Sequence, residues 1–282
     1  MVCYVYCMLE TFETKKSLGQ NFLTSDVVPT WMCEAGLVTA GDIVIEIGPG
    51  TGALTRVLLA RGATVHAIET DARAILVLTT TCSEAISNGQ LILHHGDMRE
   101  FDITTITTPF KDYKIVANIP YYLSGFLLRT CLELREPPTT LVFLMQKEVV
   151  HRITRDKKQS LLSLSVAVYG KPTYYKTVSR GHFNPPPKVD SAILLVSDIS
   201  HTHLNNSADR EQFFTLLHQG LGQRRKQLLG ALAQTYDRSI LEKVFSTLGL
   251  SLTIRGEDVS LASWLRLYRE LHDTHHVTHA QG

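Results

Sequence analysis

No stretch of this 282-residue chain is long and apolar enough to read as a membrane span. The first nine residues are apolar but too short, and they lack the basic start and small-residue cleavage site of a secretory signal. Residues 1–13 are therefore expected to be an N-terminal extension with loose packing at most. Cysteines are few and poorly spaced for cross-links or zinc. Cys3, Cys7, Cys33, Cys82 and Cys131 are odd in number, and the pair Cys3–Cys7 has no second pair to complete a site. A reducing, cytoplasmic setting is the expectation. Charge of one sign is lacking too. With 28 basic and 27 acidic side chains the net charge is +1, so affinity for nucleic acid must rest on local clusters. What remains is 44% hydrophobic residues, the composition of an ordinary globular protein with length for about two domains.

The most specific pattern starts at Asp42. A buried-strand run through Ile47 enters Gly48-Pro49-Gly50-Thr51-Gly52, and residues 53–60 then take helical spacing. Alternate glycines let the backbone approach a ligand, and the helix that follows offers free N–H groups. A second short strand, Val65–Glu69, ends in a carboxylate about twenty positions after Gly48, as in nucleotide cofactor sites where an acid holds the ribose hydroxyls. A dinucleotide would want G-x-G-x-x-G. Here G-x-G-x-G follows Glu46, which is similar to the first motif of class I S-adenosylmethionine methyltransferases. The plain alternative is a glycine turn with no ligand, and Glu69 weighs against it. Residues 91–98 repeat the logic, with a strand followed by Gly96, Asp97 and Met98. In such methyltransferases an acid here accepts from the cofactor's adenine amine, and the next residue packs on the ring. His94 and His95 are adjacent on that strand and point to opposite faces, which argues against a shared metal ion.

Lys114–Ala117 reads as a β-branched strand that Pro120 ends, placing Asn118 at its exit and Tyr121 on the turn beyond. An Asn side chain, free main-chain carbonyls and an aromatic face suit a planar group with an exocyclic amine, such as adenine. In isolation, N-x-P-Y is better read as a turn; its setting shifts the balance. Further strands are expected at 140–146, 174–178 and 191–196. Between the last two, Phe183-Asn184-Pro185-Pro186-Pro187 is a stiff loop that can hold Phe183 opposite Tyr121. Arg152, Arg155, Lys157 and Lys158 form a basic cluster, a feature more often solvated than bound but here beside a candidate adenine site. Residues 199–210 read as a linker. Residues 211–272 carry amphipathic helical segments and the basic knuckle Arg224-Arg225-Lys226, and 273–282 read as a His-bearing tail.

The fold expected is α/β: a Rossmann-like, mostly parallel seven-stranded sheet of class I methyltransferase type over 14–198, with a small all-helical domain after it. Lys16–Leu23, Glu46–Gly52, Gly96-Asp97, Asn118–Tyr121, Gln146–Glu148, Phe183–Ser191, Gln223–Lys226 and Arg255–Ser260 together resemble the small-subunit ribosomal RNA adenine N6-dimethyltransferases, relatives of the erythromycin-resistance rRNA methylases. The resemblance spans about residues 14–271. It implies S-adenosylmethionine held by Asn21, Leu23, Gly48, Gly50, Glu69, Asp97, Met98 and Asn118. It implies catalytic roles for Asn118, Ile119, Pro120 and Tyr121, with Phe183 as the opposite stacking face. The implied reaction is dimethylation of two adjacent adenines in a 3′-terminal hairpin of small-subunit rRNA, within a precursor particle, by a monomer without metal or membrane attachment. The two basic clusters are assigned to that RNA. Ile119 stands where Leu is common, and Ser179–His182 is not typical. Three alternatives remain. An enzyme with another target, a large-subunit rRNA or a DNA adenine methylase, is disfavoured by the match through 183–191 and 255–260. A binding factor that has lost catalysis is disfavoured by intact Glu69, Asn118 and Tyr121, and a small-molecule methyltransferase by the basic helical domain.

Overall fold

A computed structural model of the chain describes residues 21–204, 206–223 and 226–278, the last six as backbone only. The extension 1–13, the motif residues Lys16–Gln20, and Arg224 and Arg225 lie outside the described residues. In chain order the strands are β1 (Phe22–Leu23), β2 (Ile43–Ile47), β3 (Thr64–Glu69), β4 (Leu91–His95), β5 (Lys114–Asn118), β6 (Thr140–Gln146), β7 (Lys171–Val178), β8 (Phe183–Asn184) and β9 (Ser191–Ser197). Seven of them form one sheet in the order β4-β3-β2-β5-β6-β9-β7. The pairs among β4, β3, β2, β5 and β6 are parallel; β9 runs antiparallel to both β6 and β7.

The near-continuous apolar runs of the central strands follow from burial on both faces. Val44, Val65, Ala67, Val116, Val142 and Leu144 join one core with Val28, Met32, Leu54, Leu58 and Leu78 from the helices Val27–Ala35, Ala53–Ala60 and Ala72–Thr81. The alternate residues Ile45, Ile115, Ala117, Phe143 and Met145 point the other way and are equally buried.

β1 and β8 are a separate antiparallel ribbon, pairing Phe22 with Asn184 and Leu23 with Phe183. The sequence reads both segments as loops. Two-residue strands carry no periodicity of their own, and this pair forms between segments some 160 positions apart. The Asn184–Pro185 bond is cis.

The chain divides into two compact units, residues 1–154 with 170–199, and residues 155–169 with 200–282. The second unit holds the helices Leu161–Ala167, Ser207–Leu221, Leu228–Leu232, Arg238–Leu248 and Leu261–Thr278, around fully buried Phe213, Phe245 and Trp264. Two boundaries differ from the expected ones. Residues 155–169, placed by the sequence within 14–198, group with the helical unit, where the helix Leu161–Ala167 packs on Ser207–Leu221. A reciprocal Ser160–Ser163 capping box starts that short helix. The helix Ser207–Leu221 begins inside the expected linker 199–210, because the Asn206 side chain accepts the Asp209 N–H at 2.8 Å and caps it.

Candidate active site

From β2 the chain passes to β3 and β4 on one side and later returns to β5 on the other. A reversal of this kind opens a crevice beyond the carboxyl ends of the strands. A cavity lies there with about 1100 Å³ of empty space, its open mouth included.

The glycine turn after β2 lines the cavity. Gly50 has φ +56°, and a Cβ there would come within 2.8 Å of the Phe22 ring. Gly52 has φ +84°, with a Cβ position 2.7 Å from Leu78. Only glycine satisfies both demands. The Gly50 N–H donates to Glu69 Oε2 at 3.0 Å, and the Asp71 N–H donates to Oε1 at 2.8 Å. A carboxylate has about four acceptor sites, so Glu69 is fixed by the backbone and still accepts from a ligand hydroxyl. Burial raises its pKa, and the backbone N–H groups of Asp71, Gly50 and Thr70 pull it back.

Glu46 of β2 also lines the cavity, 1% exposed. Burial pushes its carboxyl up to about 8, against the Thr55 hydroxyl, which donates to Oε2 at 2.7 Å. Glu46 therefore carries its proton through neutral pH. At the end of β4, Asp97 and Met98 reach the same cavity. Arg99 folds back on Asp97, its Nη2 2.5 Å from Oδ2, and these bonds hold the Asp97 carboxyl below the usual carboxylate range.

Asn118 is the last residue of β5. Its Nδ2 donates to the Asn21 carbonyl at 3.2 Å, which leaves Oδ1 as an acceptor in the cavity lining. The Pro120 carbonyl accepts the Leu123 N–H at 3.0 Å and winds Tyr121–Leu123 into a 3-10 turn. The Tyr121 hydroxyl lies 2.8 Å from Ser191 Oγ, and burial raises the phenol's pKa, so it stays neutral. Phe183, 4% exposed, enters from β8. The β1–β8 pairing, extended by the Thr24 N–H to the His182 carbonyl at 3.0 Å, brings Asn21 and Leu23 to the same place.

The cavity thus gathers Asn21, Leu23, Gly48, Gly50, Glu69, Asp97, Met98 and Asn118, and with them Ile119, Pro120, Tyr121 and Phe183. Sequence reasoning gave no role to Glu46, Phe22, Arg99, Tyr122 or Ser191. For Glu46 a signal existed, a lone acid within the apolar run 43–47. The basic residues are not gathered on one element. Arg152 sits on the helix Lys147–Thr154 and bonds Glu148 at 2.9 Å. In the second unit Lys158 pairs with Glu257, and Arg155, Lys157 and Lys226 are exposed. His94 stacks on His66, with Nε2 and Nδ1 3.2 Å apart, and burial lowers both pKa values. Among the described residues no three His, Cys, Asp or Glu side chains are grouped to hold a metal ion, and no helix is long and apolar enough to cross a membrane.

Comparison with known proteins agrees with this geometry. The family model for ribosomal RNA adenine dimethylases matches residues 11–273. A ribosomal RNA small subunit methyltransferase A of Dehalococcoides mccartyi is 37% identical over 263 residues, covering 92% of this chain and 89% of that protein. The protein of the same name from Clostridium perfringens is 34% identical over 257 residues, covering 90% and 89%. Among solved structures, a dimethyladenosine transferase from Plasmodium falciparum matches with TM-score 0.77 at 23% identity, covering 90% of this chain and 98% of that one. The 23S rRNA methyltransferase ErmE matches with TM-score 0.69 at 25% identity, covering 89% and 100%.

Proposed function

The chain belongs to the ribosomal RNA adenine dimethylase family, and from that premise we propose that it transfers methyl groups from S-adenosylmethionine to N6 of two adjacent adenines in a 3′-terminal hairpin of small-subunit rRNA. The observation that carries this reading is the meeting of two unlike surfaces in one cavity. An acid and glycine turn suits a nucleoside cofactor, and the Asn118–Tyr121 turn suits an adenine amine.

The residues present fit the cofactor. Glu69 has acceptor capacity left for ribose hydroxyls and Met98 offers an apolar surface for a ring, while Asp97 accepts an adenine amine by giving up a bond to the exposed Arg99 side chain; the bare Gly48 and Gly50 leave room at the turn, where a Cβ on Gly50 would strike Phe22. Asn21, Leu23 and Asn118 complete the lining. When bound, S-adenosylmethionine supplies an electrophilic methyl on a sulfonium with a neutral thioether as leaving group. The protein's share is alignment. The N6 lone pair of adenine is delocalised into its ring and is a poor nucleophile. Asn118 Oδ1 accepts one N6 hydrogen. A main-chain carbonyl at Ile119-Pro120 is assigned the other. Two acceptors set out of the ring plane localise the lone pair on N6. Tyr121 and Phe183 sandwich the base, offsetting an unstacking cost of a few kcal/mol. Holding the partners in line contributes several kcal/mol more. The methylated nitrogen is acidic once cationic, so its proton leaves without a dedicated base.

We assign Arg152, Arg155, Lys157, Lys158, Arg224, Arg225 and Lys226 to phosphate contacts with the substrate, a small-subunit precursor particle met in the cytoplasm by a single copy of the chain. The test is transfer of labelled methyl to unmethylated small subunits, large subunits and free RNA. Label recovered as N6,N6-dimethyladenosine in small-subunit RNA is the expected result. Label only in large subunits would move the chain to the large-subunit methylases, and cofactor binding without any transfer would make it a binding factor.

A further inference from the structure

The turn after Asn118 leaves two large aromatic rings in solvent. Tyr122 is 58% and Phe126 43% exposed, while Leu127, Leu128, Cys131 and Leu132 of the same helical segment are buried. The 3-10 turn Tyr121–Leu123 runs directly into the helix Ser124–Leu132. Four positions apart on this segment, both rings lie on its solvent side. Gly125, exposed between them, adds no side chain to block access. Tyr122 also lines the cavity, one residue from Tyr121, so its exposed ring marks the mouth. Left in water, the rings forfeit the burial that aromatic side chains ordinarily gain in a fold. Exposed apolar surface continuous with a binding cavity points to an occupant.

We infer that Tyr122 and Phe126 form the stacking site for the base next to the target adenine, which is the second adenine of the substrate in the function proposed above; the inference rests on that reading. A nucleotide swung into the cavity keeps its covalent neighbours, so the adjacent base must lie just outside the mouth. When the target leaves the stack, that neighbour loses one face of its own stacking. The ring of Tyr122 restores it, and Phe126 extends the platform outward. Stacking accepts any base. The site therefore holds the waiting adenine at the mouth without itself reading sequence.

The experiment uses the full chain and reconstituted unmethylated small subunits of two kinds. One carries both adenines, the other one adenine beside an abasic site. Wild type is expected to show a KM for subunits about tenfold higher on the abasic particle. Tyr122→Ala is expected to raise KM about tenfold on the intact particle and to add nothing on the abasic one. Tyr122→Phe, which keeps the ring, should match wild type; Phe126→Ala should show a smaller version of the same pattern. Affinity for S-adenosylmethionine, unchanged in each, confirms that the variants fold. Equal losses for Tyr122→Ala on both particles would overturn the inference and give the rings to another occupant, a protein or a second copy of the chain. No transfer by wild type to either particle would refute the function beneath the inference and the inference with it.

Discussion

The donor side and the acceptor side of the cavity are built in opposite ways. On the donor side the polar groups are tied to the protein before any ligand arrives. Glu69 is held by two backbone N–H groups, Asp97 by Arg99, and Glu46 by Thr55. On the acceptor side the structure offers planar faces and two fixed polar side chains. Asn118 is oriented by the Asn21 carbonyl, Tyr121 by Ser191, and Tyr122 is mostly in solvent. A small cofactor with fixed hydroxyls rewards a rigid, prearranged site. A base delivered from a large particle, and returned for a second methyl, needs a slot it can enter and turn within. Binding energy on the donor side and alignment on the acceptor side should therefore be separable by mutation.

The largest expected effect is on the acceptor side. Asn118→Ala should lower the rate of methyl transfer at saturating substrates by about a hundredfold or more, with cofactor affinity changed less than about tenfold, as read by single-turnover kinetics and calorimetry. Next comes the donor side. Glu69→Ala, losing the acceptor proposed for ribose hydroxyls, should weaken S-adenosylmethionine binding by about ten- to a hundredfold and leave binding of small subunits unchanged in a sedimentation assay.

Glu46 sharpens the contrast through pH. Its carboxyl titrates near 8 in the fold and at the ordinary value of 4.5 when unfolded. Between those values the native state keeps a proton that the unfolded state releases, so stability is fully present below about 4.5 and declines as pH rises through about 8. Each pH unit inside that window removes about 1.4 kcal/mol at most. Melting curves of wild type should fall across it, and those of Glu46→Gln should lack that component. The smallest effect belongs to Ser191→Ala, which frees the Tyr121 hydroxyl and should cost about fivefold in transfer rate. Tyr121→Phe should match it, and the double variant should lose no more than either alone.

Much of the donor side is legible in the residues because it is local. The strand, the glycine turn, the helix and the next strand follow one another within 28 positions, and spacing alone locates Gly48, Gly50 and Glu69. Asn118 and Tyr121 are legible for the same reason, as a strand ended by a proline. What escaped depends on pairing across the chain. The β1–β8 ribbon, which carries Asn21 and Phe183 to one cavity, joins segments without periodicity. Residues 155–169 belong with the helical unit through packing on a helix that starts some 40 positions later. Ser191 reads as the first residue of a strand, and only the fold places its hydroxyl against Tyr121. Tyr122 and Phe126 were overlooked for a different reason. An aromatic in an apolar helical stretch reads as core, and only their exposure separates them from Leu127 and Leu128.

The most direct test of the division is the single-turnover rate of methyl transfer to unmethylated small subunits as S-adenosylmethionine is raised, for Glu69→Ala and Asn118→Ala side by side. The account predicts that Glu69→Ala climbs to within about threefold of the wild-type rate at saturation, because it lost binding alone, whereas Asn118→Ala stays at least about a hundredfold below at every concentration. Recovery of both variants, or of neither, would contradict it.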